Sequence, residues 1–406
     1  MDRAIVLAAL LACAGSAVAD EPEWLKTLRA RESAPLPAPV DVASPDGWFS
    51  AKATAKLAGK IEFADDAYAV NFELAPDIIA SCQVTKDSLD LGSTLNLTAA
   101  SAFEFLGKQH GKIDFRGVER IDAGQVEGSP FMAVDWVYRV ASDKGPLIGS
   151  LKQVSANRHG AGIYCVQSDV GYAQSFAALT RSLLQSLQVK DAGSPPEFED
   201  ISVASIGGKK VGVMQSSIRK DGADGLRVDM RVSMILPITP DTLRAEDTYS
   251  VQFTANDGSM VNAMHVVANN GEIETQLKLD PLEEGGWKVS GQHMGKALDG
   301  KIDGTREPAT LVSQAHVRKA LLAAANPLGA ENVEWQWIPA DPLQLTESRL
   351  KVTAAAGEGL YRARETLGGM VVDTILERAT GMAQRADFAI GANTLVAERV
   401  YVRGQL

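Results

Sequence analysis

The sequence predicts an α+β protein: an antiparallel-sheet α/β sandwich, then a curved antiparallel sheet or incomplete barrel that holds one helix. Three observations carry this expectation. Strand-like runs in the first half are interleaved with two helical ones, and the second half alternates apolar and polar residues at period two over long stretches. A run of turn formers and charges, Asp191-Ala192-Gly193-Ser194-Pro195-Pro196-Glu197, separates the two halves.

In the first half, residues 68–74, 79–84, 131–140, 147–155 and 162–167 are rich in β-branched or aromatic side chains and read as strands. Phe103 and Leu106 at helical spacing, with Asn96 or Thr98 as a cap, mark a helix over 98–106. The clearest element is the last. Tyr172, Phe176, Leu179, Leu183 and Leu187 recur every three or four residues, while Gln174, Ser175, Arg181 and Gln185 take the other side. Such a stripe docks a helix on a sheet.

In the second half, Leu226, Val228, Met230, Val232, Met234 and Leu236 alternate with Arg227, Asp229, Arg231 and Ser233. Tyr249, Val251 and Phe253 alternate with Ser250, Gln252 and Thr254. Turn formers at 221–225, 256–258 and 269–271 punctuate a meander over about 209–293, and Asn270-Gly271 suits a hairpin turn. Pro308 near a first position, Leu311, Ala315 and Leu322 on one face, and the stop Asn326-Pro327 define one helix. Strand candidates at 360–367, 370–377, 382–390 and 395–403 close the chain. Many antiparallel strands around one helix require a bent sheet. The expected organisation is a signal peptide over 1–19, an extended tether over 20–45, an α/β domain over 46–190, a linker over 191–200 and the curved β domain over 201–406.

The chain opens with charged Met1-Asp2-Arg3, an apolar run to Ala12 and the small-residue site Ala17-Val18-Ala19. That is the grammar of a secretory signal, so the expected location is periplasmic or secreted. Leu10-Leu11-Ala12-Cys13 offers a second reading, a lipobox whose acylated Cys13 would anchor an outer-membrane lipoprotein. No other apolar run approaches the length of a bilayer span. Three cysteines occur, which leaves Cys82 and Cys165 after the signal. In an exported chain they allow one disulfide; two buried thiols are the alternative.

Two resemblances follow from element order. A small exported module that ends in a strand with Cys165, then Gly171-Tyr172 and the helix over 173–187, resembles the PsbP-like fold over residues 48–189. That resemblance implies an antiparallel sheet sandwiched by helices and an accessory or assembly role. The second half resembles, at the level of fold, the unclosed barrels of periplasmic lipoprotein carriers.

Composition narrows the chemistry. The chain is 45% hydrophobic and 22% charged, which excludes disorder for its bulk. A net charge of −11 argues against a nucleic-acid partner. The five histidines, His110, His159, His265, His293 and His316, lack helical pair spacing, so no metal site and no cofactor are expected. Ser217-Ile218-Arg219-Lys220 matches S-x-x-K, but it ends a strand instead of opening a helix, and no S-D-N or K-T-G accompanies it. The Asp-Gly runs at 221–225 and 299–304 lack the ligand pattern of a calcium loop and read as turns. Trp335-Gln336-Trp337 places two indoles on one side of an extended segment. Three functions remain open. The first is a non-catalytic exported binding or accessory module for another envelope protein. The second is a carrier of an apolar or lipid ligand lined by Met230, Met234, Val251 and Phe253. The third is an envelope hydrolase with an unrecognised site around His265 or His293.

Overall fold

The computed structural model describes residues 37–92, 113–141, 147–190, 193–239, 242–391 and 393–404, with a few isolated positions besides. The signal with Cys13, most of the tether and nearly all of the helix expected over 98–106 lie outside the described residues. Among the described residues, strand accounts for 63% and helix for 10%. Pairing is antiparallel in both large sheets. The chain is therefore β-rich, which corrects the α+β sandwich read from the sequence. It divides into two compact units, one built on Ser16–Pro195 with Pro237–Leu243, the other on Pro196–Leu236 with Arg244–Leu406.

In chain order the first unit holds β1 (Val40–Ala43), β2 (Phe49–Ala53), β3 (Lys56–Leu57), β4 (Glu62–Ala64), β5 (Ala67–Ala75) and β6 (Ile78–Thr85). Then come β7 (Ile113–Val126), β8 (Ser129–Val140), β9 (Leu147–Arg158), β10 (Ala161–Gln167), helix α1 (Ala173–Ser186) and β11 (Gln188–Val189). Eight strands form one sheet in the order β3-β5-β6-β10-β9-β8-β7, with β4 on β5. A three-stranded sheet, β1-β2-β11, packs on it together with α1. This small sheet is part of the difference from the sandwich expectation: Val42, Phe49 and Ala51 share with α1 the covered face of the large sheet, adding strands where the sequence reading placed a helix. Strand β1 also falls inside the expected tether.

The amphipathic stripe of α1 buries Phe176, Leu179, Leu183 and Leu184 against Val70, Phe72 and Ile163. Each fully buried aliphatic or aromatic side chain of this kind contributes about 1.5–3 kcal/mol. The polar side of α1 has a structural use as well. The Ser182 and Ser186 hydroxyls accept hydrogen bonds from the Thr54 and Lys52 backbone N–H groups at 3.0 and 2.6 Å. Under this helix Cys82 and Cys165 stand directly opposite one another on β6 and β10 and form a disulfide. One glycine is dictated by packing: Tyr138 lies across Gly149 on the neighbouring strand, where a Cβ would meet its ring at 2.2 Å.

The second unit holds β12 (Phe198–Ile206), β13 (Lys209–Asp221), β14 (Gly225–Thr239), β15 (Thr242–Ala255), β16 (Met260–Asn269), β17 (Glu272–Pro281), β18 (Trp287–His293) and β19 (Lys296–Ile302). Helix α2 (Leu311–Ala323) leads to β20 (Glu331–Trp337), β21 (Leu345–Gly357), β22 (Leu360–Leu367), β23 (Met370–Glu377), β24 (Ala383–Ile390) and β25 (Asn393–Gly404). Strand β12 begins within the segment expected as a linker. All fourteen strands belong to one sheet, ordered β19 to β12 and then β25 to β20. The last strand thus returns to pair with the first of the unit. The two ends of the sheet pack through side chains instead of a ladder. Trp337 and Leu345 join Leu277, Leu279, Trp287 and Ile302 in one apolar cluster.

The disulfide closes a separation of 83 residues. In the chain-entropy model such a crosslink contributes on the order of 4 kcal/mol. Paired Cys82→Ser and Cys165→Ser substitutions are expected to lower the free energy of unfolding by about that amount, read from urea denaturation curves. Wild type in reductant should approach the double variant.

Candidate functional site

The centre of the second unit is α2. Its start is encoded locally: Thr310 and Ser313 exchange hydrogen bonds in a capping box, each side chain accepting from the other's backbone N–H. Two anchors then fix the N-terminus in the sheet. Gln252 Oε1 accepts from the Leu311 N–H at 3.0 Å, and Thr310 Oγ1 donates to the Gly258 carbonyl at 2.7 Å. Leu311, Val312 and Ala315 pack with Phe198, Ile218, Val228, Met230 and Met382. Two turns after Ala315, Leu322 packs with Leu350, Val352, Ala363 and Leu376. The helix therefore touches strands from both halves of the sheet order.

Among these apolar contacts lies a buried polar group. Arg318 Nη2 lies 3.1 Å from Glu365 Oε2 and 3.9 Å from Glu334 Oε1. Glu365 Oε1 accepts from Ser348 Oγ at 2.8 Å, and Gln336 Nε2 donates to Glu334 at 3.0 Å. Arg318 and Glu365 are each about 3% exposed, so the pair is taken almost wholly out of water. Pairing offsets a desolvation cost of several kcal/mol per ion only when both partners stay. The Oε1 atoms of Gln314 and Gln336 are buried there without a hydrogen-bond partner.

A second buried carboxyl stands on β15. Glu246 is 1% exposed, and neither of its oxygens accepts a hydrogen bond. Arg244 Nη2 comes within 3.0 Å but is poorly aimed. Burial pushes the Glu246 pKa up to about 7; Arg244 opposes the shift, and the Glu274 and Asp247 charges add to it.

The residues singled out from the sequence do not converge. Met230 and Met234 share one face of β14, but Met230 packs on α2 and Met234 packs with Phe388, Val372 and Leu395. Gln252 faces α2, so its strand neighbours Val251 and Phe253 face the other way. The four do not line one surface. His265 stands opposite Ser250 on the helix-facing side of β16 and is buried, which lowers its pKa to about 3 and keeps it neutral. His293 lies two strands away, roughly 12 Å off by strand spacing, so the two imidazoles do not form a pair. Ser217 and Lys220 lie on strand β13, where positions three apart face opposite sides, and Lys220 pairs with Glu197 at 3.2 Å. Trp337 is buried, its Nε1 donating to the Pro342 carbonyl, while the Arg306 guanidinium stacks on Trp335.

The opposite side of β21–β24 is open and charged. An open groove of about 460 Å³ is lined by Thr353, Arg362, Arg364, Asp373, Ile375, Arg385 and Asp387, among others. Arg364 binds Asp373 through Nε and Nη2 at 2.9 and 3.3 Å. Arg385 binds Asp387 in the same way at 2.8 and 3.2 Å. Arg362, Ile375 and Arg385 form one row across three strands.

Sequence reasoning passed over Arg318, Glu365 and Glu246. The signal for the first was present: Leu311, Ala315, Arg318 and Leu322 follow the four-three-four spacing of one helix face. Glu365 likewise shares its strand face with Ala363 and Leu367.

No family model matches the chain, and no curated protein matches it. Among solved structures it is similar to a β-barrel-like protein of DUF1849, a domain of unknown function, from Brucella abortus. That similarity has 12% identity and a TM-score of 0.39, over 52% of this chain and 98% of the other.

Two outcomes are expected. Arg318→Ala strands the Glu365 charge and should cost about 3–5 kcal/mol in chemical denaturation, whereas Arg318→Met with Glu365→Leu should recover much of that loss. Glu246, ordinarily near 4.5, is raised to about 7, so the folded state binds the extra proton between those values. Its contribution is thus fully present below about pH 4.5 and declines as pH rises towards 7 and beyond. Glu246→Gln should leave stability unchanged at pH 4 and raise it by roughly 3 kcal/mol at pH 8, read from urea midpoints.

Proposed function

We propose that this chain is an exported protein of a Gram-negative-type envelope, acting as a non-catalytic binding or accessory module whose partner is another envelope protein. The observation that carries the reading is the placement of α2. The helix, its apolar face and the Arg318–Glu365 pair fill the space against the sheet where a carried ligand would sit. The outward positions of β21–β24 are meanwhile left exposed and polar. A signal-like N-terminus and the Cys82–Cys165 disulfide favour an oxidising compartment. The resemblance of the second half to lipoprotein carriers favours the rival reading, which requires α2 to leave its place and expose Met230.

Two measurements separate these. Affinity capture after crosslinking in intact cells should recover a defined protein partner from the envelope fraction. Native mass spectrometry of the purified chain should show no bound lipid. Co-purifying lipid with no protein partner would transfer the assignment to the carrier.

A further inference from the structure

We infer that the groove on β21–β24 recognises an acidic, extended peptide segment of the partner, with two carboxylates flanking an aliphatic side chain. This rests on the binding-module reading and names the chemistry of its ligand. The local charge comes first. The groove carries three guanidiniums and two carboxylates on a chain whose net charge is −11, so the sign is inverted locally. Both carboxylates are engaged: Asp373 and Asp387 each face an Nε–Nη2 edge of one arginine. Those bonds leave the Nη1 groups of Arg364 and Arg385 pointing elsewhere. Among the described residues, Arg362 has no carboxylate partner at all.

The row geometry sets the spacing. Arg362 and Arg385 flank Ile375 on adjacent strands, about 10 Å apart at two strand separations. Ile375 is partly exposed between them, an apolar floor between the guanidinium fork of Arg362 and the Nη1 side of Arg385 that Asp387 leaves unused. An extended chain repeats a face every second residue, at about 6.8 Å. The pattern acid-x-aliphatic-x-acid therefore sets its apolar residue on Ile375 and lets both acids reach the guanidiniums. A uniformly anionic membrane surface fits less well, since Asp373 and Asp387, both in the neighbouring row with Arg364, repel it.

The test uses the full exported chain and a labelled peptide, Ser-Glu-Ser-Leu-Ser-Glu-Ser, followed by fluorescence anisotropy. Comparators are the same peptide with Lys for Glu and vesicles of anionic lipid. The acidic peptide should bind, weaken about tenfold or more in Arg362→Glu, and be released by about 0.5 M salt. The lysine peptide should not bind. Arg362 is exposed, so the variant should melt as wild type does, which separates lost recognition from lost folding. Equal binding of both peptides, no binding of the acidic one, or indifference to Arg362→Glu would overturn the inference. So would vesicle binding lost in Arg362→Glu without peptide binding, which would assign the groove to a membrane. Crosslinked capture run in parallel keeps the two readings apart. A partner recovered equally by wild type and Arg362→Glu overturns the groove while the accessory role stands. Recovery of none by either protein removes both.

Discussion

A sheet of fourteen strands has two faces, and one of them must be kept from water. In the second unit strands cover part of that face by packing on one another, and a helix of thirteen residues, α2, covers the rest. The return of β25 to pair with β12 lets strands from both halves of the order meet the same helix. Capping by Thr310 and the anchors from Gln252 and Gly258 hold the helix in one register against them.

The helix is not held by apolar contact alone. Its buried face carries Arg318, which forces a carboxylate, Glu365, into the core of the facing strands. Hydrophobic packing tolerates small rotations of a helix, whereas a buried ion pair with Ser348 and Gln336 arranged around it tolerates few. The pair thus sets position more than it adds stability. Glu246 is the contrasting case, a buried carboxyl with a cation nearby but badly aimed, and it keeps its proton towards neutral pH.

The second half of the chain was legible where one face of a strand met apolar neighbours. The alternation through Met230 and Met234 marks β14, and the stop at Asn326-Pro327 marks the end of α2. Legibility failed where ladders are irregular. Strand β7 runs fourteen residues but carries two register shifts, which break its period, and β21 carries two more beside a run of alanines. The strands β1, β3 and β4 are too short to show a clear period, and the alternation of β2 spans only five residues. These omissions made the first half look more helical than it is.

Composition and local pattern determined that this chain folds, that it is strand-rich beyond residue 207, that α1 and α2 exist, and that two cysteines are available to one another. Those properties depend on neighbours within a few residues, or on counting. Which face of β15 looks inward was decided only by tertiary structure, because both of its faces have a coherent pattern. Tyr249, Val251 and Phe253 form the more apolar set, yet Gln252 and Thr254 meet the interior. The partners of Arg318 and the row of Arg362, Ile375 and Arg385 were decided the same way. Each joins residues from separate strands, and strand register is a long-range agreement that no local window of sequence contains.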